Sequence, residues 1–573
     1  MTGNANHHSL PKRWRVHHEI PQDITRELGD FPPLLRQLLY NRGFITSNLA
    51  EAFISGQVDQ STDPFQLQDM AAAVDRLHQA IIRNEKIAVY GDYDADGVTA
   101  TALLKEFFSA LGVDALAYIP NRYDEGYGLN DDALRQLAGE GINLVITVDC
   151  GIRSVAEVAL ANQLGLDVII SDHHQPGDVI PDAAAVIDPK QPGDHYPYDN
   201  LAGVGLAYKL AQAYLSVHPQ EGVKAEDWLD LVAIGTVADL APLVDENRML
   251  VQAGLAQIRQ KPRQGLYSLA RAAGIDLAKC DASNIGFGLG PRLNAAGRLE
   301  SALTALTLLT TQDLLEAGHL AQQLDTFNRD RQDMTQKIRE KAAEQVLAED
   351  PDAVLFFAAD PDFSEGVVGL AASRLTESFY RPAIIGHQGE VFTVASCRSI
   401  PEFHITRALD DCADLLVRHG GHAAAAGFTV RNEDCNALVT KLRQIAQDQL
   451  GSMELLPVLD IDREIQLDKV EKMHVPAILE DLHHLEPTGR GNPEPVFASR
   501  GVQVYQARTV GKDDSHLKLI LRAGNKTYDA IAFRQGYWAE DMPELVDIAY
   551  RFEINEYMGR STLQLNVKDI RAA

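Results

Sequence analysis

The sequence predicts an α/β protein that ends in an all-β barrel. A parallel-sheet lobe is expected at 81–305, a long connecting helix at 306–350, a smaller α/β lobe at 351–452 and the barrel at 453–573, after an N-terminal helical region at 1–80. Three observations carry this reading. From 86 to about 190, apolar runs alternate with helical stretches, the pattern of a parallel sheet. The segment 310–350 holds no proline and no glycine after Gly318 and is charged along its length, which suits a helix joining two lobes. From about 455 onward, stretches such as ASRGVQVYQARTVG and SHLKLILRAG alternate apolar and polar residues, the period of half-buried strands.

Composition narrows the function classes. With 45% apolar and 23% charged residues over 573 positions, the chain has ample material for several cores. No run approaches the ~18 apolar residues of a spanning helix, and the first residues lack the apolar stretch of a secretory signal. The five cysteines are scattered without a C-x-x-C pair, which fits a reducing, cytoplasmic setting. A net charge of −29 argues against non-specific binding of nucleic acid by a basic surface. It leaves room for an enzyme that confines its positive potential to one groove.

In chain order, PPLLRQLLYNRG, NLAEAFI and MAAAVDRLHQAIIRNE read as helices, and the doublets His7-His8 and His17-His18 sit in polar, solvated sequence. The apolar run Ile87 to Tyr90 is then a buried strand. It stops at Gly91, and Asp92, Asp94 and Asp96 follow at every second position before Gly97 opens the helical VTATALLKEFFSAL. Three carboxylates therefore share one strand-to-helix turn, where open α/β sheets place ligands. Anions this close repel, and a divalent cation relieves them. An EF-hand loop also begins D-x-D-x-D-G, but it needs a preceding helix and a Glu at its twelfth position, which here is Leu103.

Further strands end in polar residues. The run 114–122 closes at Arg122, 143–152 carries Asp149, 166–174 delivers Asp172, His173 and His174, and 183–189 follows. Carboxyl ends of parallel strands lie along one rim, so these side chains converge. A histidine ligand needs its second ring nitrogen held, for which Asp172 and Asp188 are at hand. The apolar helix within 225–248 places Asp239 near its end, among Ala238, Leu240 and Ala241. A carboxylate there is costly unless paired or bound to metal.

GDYDADG, VDCG, SDHH and GTVADLAPL, in this order, resemble the four motifs of the DHH phosphoesterase superfamily. The resemblance implies that Asp94, Asp96, Asp149, His173 and Asp239 bind two divalent cations, Mn²⁺ or Mg²⁺, and are catalytic, with His174 beside them as a ligand or facing the scissile phosphate. Asp92 is extra to the minimal pattern and is assigned, with Asp172, to a supporting position behind the ligands. Tyr90 stands where some members have a histidine, so the ligand set departs there from the pyrophosphatase branch. Oxygen and imidazole donors suit Mn²⁺ or Mg²⁺, and the reaction implied is two-metal hydrolysis of a phosphate ester. No G-x-S-x-G nucleophile elbow is present.

Beyond the first lobe, Arg292, Asn294 and Arg298 in IGFGLGPRLNAAGRLE either contact phosphates or structure a loop. After Pro351 the strand–helix alternation restarts, with a helix expected from about 404 to 418. Gly420-Gly421-His422 resembles the GGH of the DHHA1 domain, which handles substrate. Ser396 and Arg398 leave a strand together and, with Arg122, resemble the 5′-phosphate pocket of the superfamily's exonuclease branch. The barrel fits the oligonucleotide-binding (OB) type, and Tyr505, Lys518, Arg522, Tyr528, Phe533 and Arg551 are its candidates for stacking bases and tracking phosphates.

The order of lobes is similar to that branch, and this implies a metal-dependent exonuclease degrading single-stranded DNA 5′→3′ to 5′-mononucleotides in recombination and repair. It also implies single-strand-binding protein and a repair helicase as partners, with no membrane. Two rivals differ from it. A phosphodiesterase for short oligonucleotides or cyclic dinucleotides would be told apart by substrate length. A non-catalytic single-strand-binding protein would have no need of the intact acid and histidine set.

Overall fold

The computed structural model describes residues 10–56, 62–122, 125–470, 475–557 and 560–573; His7 and His8 lie outside them. The chain divides into two compact units that do not follow sequence order. One comprises residues 51–331 and 485–493, the other 1–50, 332–484 and 494–573.

The first unit is built on a five-stranded, all-parallel sheet in the spatial order Leu116–Tyr118, Ile87–Gly91, Leu144–Val148, Asp167–Ser171, Ala185–Ile187. Ile87–Gly91 and Leu144–Val148 are buried at every residue, as expected of strands covered on both faces. From Ile87–Gly91 the chain steps outward to Leu116–Tyr118 and then returns to Leu144–Val148 on the other side. The order reverses there, and ligand sites of open α/β sheets lie at such a reversal. The helix Ala95–Ala110 packs on Gly203–Val217 and Leu229–Ala238. Phe107 meets Tyr214 and Trp228 edge-on at 5.5 and 5.9 Å, a preferred aromatic geometry. IGFGLGPRLNAAGRLE is helical rather than a loop, with a π-helical turn Ile285–Leu289 running into Gly290–Leu299.

The helix Leu314–Glu349 holds 36 residues. Asp313 sets its start by accepting the Leu315 and Glu316 N–H groups, both at 2.8 Å, so the apolar Leu303–Thr310 forms a separate helix before it.

The second unit carries a five-stranded mixed sheet ordered Leu416–Gly421, Ala425–Arg431, Phe392–Arg398, Ala383–Gln388, Phe356–Asp360, parallel only between the last two. The helix expected over 404–418 stops at Asp410, because Leu416-Val417 enters the edge strand instead. The barrel closes as expected: Phe497–Val510, His516–Ala523, Lys526–Ala532, Arg560–Ala572 and Leu545–Tyr557 pair in sequence, and the last returns to the first.

The N-terminal region is not wholly helical. Arg13–Val16 is a strand parallel to Val458–Ile461. Trp14 anchors it by donating to Asp569 Oδ2 at 2.6 Å, with the Arg500 and Arg571 guanidinium groups over its ring. Among the described residues, no helix is long and apolar enough to cross a membrane.

Candidate metal centre

The first acidic turn is organised by its own backbone. Asp94 caps the helix Ala95–Ala110, its Oδ1 accepting from Asp96 N at 2.9 Å and Gly97 N at 3.1 Å. Asp96, only 1% exposed, is gripped from a second helix. Its two oxygens accept from Gly203 N at 2.7 Å and Val204 N at 2.8 Å, the first N–H groups of Gly203–Val217. A carboxylate at a helix N-terminus is favoured by the dipole. The approach requires glycine: a Cβ on Gly203 would lie 2.7 Å from Asp149 Cβ, and one on Gly235 would lie 2.8 Å from Asp96 Oδ1.

Asp149 follows Leu144–Val148 in a left-handed conformation (φ +63°), which aims its carboxylate at the next strand's histidine. His173 Nε2 lies 3.0 Å from Asp149 Oδ1, 3.9 Å from Asp96 Oδ2 and 4.0 Å from Asp239 Oδ2. Asp239 caps the carboxyl end of Leu229–Ala238. Donor atoms therefore gather in three triads, each within 4.8 Å: Asp92/Asp94/Asp149, Asp96/His173/Asp239 and Asp149/His173/His174. Asp149 and His173 are each shared by two triads. Asp92, expected behind the ligands, brings its buried carboxylate within 4.8 Å of donor atoms of Asp94 and Asp149 and is therefore a further candidate ligand.

The electrostatics call for a cation. Burial first, then neighbouring acids, push Asp92, Asp96 and Asp149 well above the usual carboxylate range. Burial and Asp94 bring Asp239 up to about 7, against the opposing charges of His174, Lys190 and Arg490. Burial, helped by the His174 charge, pulls His173 down to about 3, leaving it the neutral imidazole a metal requires. Asp92 Oδ1, Asp149 Oδ1 and His173 Nε2 are buried without a hydrogen bond, and the 3.0 Å approach of the last two is not one. Such groups are costly unless something satisfies them. Carboxylates and imidazoles suit Mn²⁺ or Mg²⁺, so the residues fit the ion the motifs imply.

His174 differs from His173. Asp172 Oδ1 lies 2.8 Å from its Nδ1 and also accepts from both histidine N–H groups, while Asp172 Oδ2 accepts from Ile152 N. Burial opposes a proton on His174, but the Asp172 hydrogen bond and charge prevail and push it up to about 9. Asp172 thus supports His174. Asp188 holds the Lys190 N–H at 2.8 Å instead of a ligand histidine.

The expected substrate residues divide. Arg122 stacks over the Tyr93 ring at 5.1 Å, inside the acidic turn. Arg298 is near enough to Arg122, Arg331 and Asp94 to feel their charges, and burial with the two arginines lowers it to about 10. Arg292 and Asn294 are engaged within the protein. Arg292 donates to Asp325 and to the Gly288 carbonyl, and Asn294 Oδ1 accepts from Ala95 N at 2.7 Å, because their helix packs against the acidic turn. In the other unit, Ser396 Oγ and Arg398 Nη2 converge on Gly369, 3.3 and 3.0 Å from where a Cβ would be. His422 is exposed in the turn between Leu416–Gly421 and Ala425–Arg431. Sequence reasoning missed Tyr127, whose hydroxyl lies 3.1 Å from His174 Nδ1, and Lys190, which donates to the His173 carbonyl. Neither has a sequence signal. The clamp on Asp96 does have one, in the paired glycines of AGVGLAYKL.

Known proteins share this arrangement. The DHH family N-terminal domain matches residues 86–236, the DHHA1 domain 351–448 and the RecJ OB domain 461–569. The single-stranded-DNA-specific exonuclease RecJ of Bacillus subtilis is 40% identical over 97% of this chain and 70% of its own length. That of Escherichia coli is 35% identical over 96% and 97%. The crystal structure of RecJ with Mn²⁺ from Thermus thermophilus superposes with a TM-score of 0.83 at 30% identity, covering 98% of this chain and 80% of that one.

Proposed function

This chain belongs to the RecJ family of single-stranded-DNA-specific exonucleases, and we propose that it removes 5′-mononucleotides from single-stranded DNA in the 5′→3′ direction, in recombination and repair. Asp92, Asp94, Asp96, Asp149, His173 and Asp239 would hold two divalent cations, Mn²⁺ or Mg²⁺. When bound, such ions acidify a water and stabilise charge on the phosphoryl oxygens.

The chain's own residues do the rest. Gly203 and Val204 fix both Asp96 oxygens, so the acid meets its partners already oriented. Asp172 and Tyr127 occupy His174 Nδ1, which leaves Nε2 to donate to a non-bridging oxygen of the scissile phosphate. Arg122 and Arg298 supply positive charge beside the acidic turn. Ser396 and Arg398 anchor the 5′-phosphate and thereby set polarity, with His422 assisting. Residues 81–305 are the catalytic domain, 306–350 the connector, 351–452 the end-binding lobe and 453–573 the strand-tracking barrel. Single-strand-binding protein and a repair helicase are the partners, in a cytoplasm whose reducing state suits five free cysteines.

The observation that carries this reading is the pair of orphaned atoms, Asp149 Oδ1 and His173 Nε2, facing each other amid buried carboxylates. The test is a gel assay with Mn²⁺ on a single strand of a few dozen nucleotides, labelled internally and at either end, beside a duplex and a dinucleotide. Stepwise loss from the 5′ end of the single strand alone, absent in Asp94→Ala/Asp96→Ala, is expected. Cleavage of the dinucleotide alone would contradict a strand-tracking exonuclease.

A further inference from the structure

The residues around Leu240, immediately after Asp239, form a rim that neither the metal centre nor the phosphate pocket uses. Phe287 is 84% exposed and Leu240 63% exposed. Single exposed apolar residues are ordinary, but the mounting of Phe287 is not. It sits in the π-helical turn Ile285–Leu289, a distortion frequent at functional sites. The flanking glycines are pressed down: a Cβ on Gly286 would lie 3.7 Å from Val237 Cγ1, and one on Gly288 would lie 2.4 Å from Ile275 Cδ1. The turn thus rests on the last residues of the helix that presents Asp239, and the ring projects to solvent.

A cation reaches the same place from far along the chain. Residues 489–492 form a tight turn, Gly489 N to Asn492 O at 2.8 Å, with Arg490 and Gly491 (φ +77°) at its tip. The turn is fastened to the rim by Leu243 N to Arg490 O at 2.7 Å, and Arg490 Nη1 donates to Leu240 O at 3.2 Å. Behind it the buried Arg248 donates to the carbonyls of Leu485, Glu486 and Pro487 at 2.7 to 3.1 Å, and Asn492 Nδ2 binds Leu485 O and Pro487 O. Among the described residues Arg490 makes that one side-chain hydrogen bond and remains exposed, so most of its donors face solvent.

We propose that this rim is a subsite for one unpaired nucleotide of the DNA strand, with Phe287 and Leu240 receiving the base and Arg490 the adjoining phosphate. An aromatic ring mounted on Val237 and Ala238 and a guanidinium bonded to Leu240, on either side of the end of the helix that presents Asp239, match the two chemical faces of a nucleotide. A base in a duplex is already stacked on its neighbours and cannot use the ring, so the subsite contributes to single-strand selectivity. The inference rests on the exonuclease reading above.

The test is fluorescence anisotropy on full-length protein without added metal, using 5′-phosphorylated single strands in which one abasic residue is walked along the chain. Phe287→Ala is expected to weaken binding about tenfold, the effect of removing one base–aromatic stack, and Phe287→Trp to restore it. At one abasic position wild type loses a similar factor while Phe287→Ala loses nothing further, the non-additivity of a direct contact. Arg490→Gln lowers the salt dependence of binding by about one phosphate contact. Abasic effects that are equal at all positions, or additive with Phe287→Ala, would overturn the subsite. A wild type that fails to cut single strands with Mn²⁺ refutes the exonuclease reading instead, and an unfolded variant is excluded because Phe287 is a surface residue.

Discussion

The catalytic sheet and the C-terminal barrel put function in different places, and the difference decides what each can tolerate. In the sheet, Ile87–Gly91 and Leu144–Val148 are buried throughout, so chemistry is confined to the turns at their carboxyl ends. There, helices close in until only glycine fits, as at Gly203 and Gly235. In the barrel, buried residues alternate with half-exposed ones, as along His516–Ala523. The side chains proposed there to meet DNA are spread over a surface, so each is expected to be replaceable at modest loss. The sheet concentrates function in a few irreplaceable atoms and the barrel distributes it.

The largest effect should come from Asp149→Asn, which neutralises an acid shared by two triads. Cleavage of single-stranded DNA is expected to fall below detection while the fold persists by circular dichroism. Next, Gly235→Ala replaces no expected ligand but forces a methyl against Thr99 Oγ1 and Asp96 Oδ1. A displacement of this order costs about 100-fold in rate, measurable as kcat at saturating Mn²⁺; an unchanged kcat would break the picture of a tightly closed sheet site.

The third prediction concerns pH. Asp239 rises from an ordinary 3.8 to about 7 on folding, and Asp96 and Asp149 also rise. A raised carboxylate contributes stability that is present at low pH and lost as pH climbs from the unfolded value through the folded one. Metal-free protein should therefore lose stability from about pH 4 to about pH 7, and the increase in Tm given by Mn²⁺ should grow across that window. A constant increment would show that the acids do not repel as described.

The barrel should respond more gently. Tyr505, 69% exposed, and Phe533, 50% exposed, are expected to lose about tenfold in affinity for long single strands when each is changed to alanine, with kcat unaltered. Smallest of all, Tyr528→Phe should cost about 1 kcal/mol of stability in urea denaturation and leave DNA binding untouched.

That contrast also explains how much was legible. Motifs at strand ends were readable because a polar residue directly after a buried run has few places to go: Asp149 and His173 meet as the rim rule requires, and Asp239 joins them from the end of an apolar helix. The proximity of Asp92 to Asp94 and Asp149 was not legible, because spacing cannot say which of three alternating acids turns inward. Arg292 stood open between a phosphate contact and a structural role because Asp325, its partner, lies thirty-three residues on. Tyr127, Lys190 and Arg490 reach the centre from loops without a pattern. In the barrel, a register shift between Val504 and Gln506 breaks the alternation just where Tyr505 is exposed. Tyr528, one of the candidates for stacking a base, is buried with its hydroxyl on the Leu467 and Val470 carbonyls.

The most direct measurement is isothermal titration of Mn²⁺ into wild type and Asp149→Asn, with the single-strand gel assay run on the same samples. Wild type should bind two ions and cut from the 5′ end, and Asp149→Asn should lose both the second ion and the cutting. An Asp149→Asn protein that keeps two ions, or that cuts as wild type does, would contradict a shared-ligand metal centre.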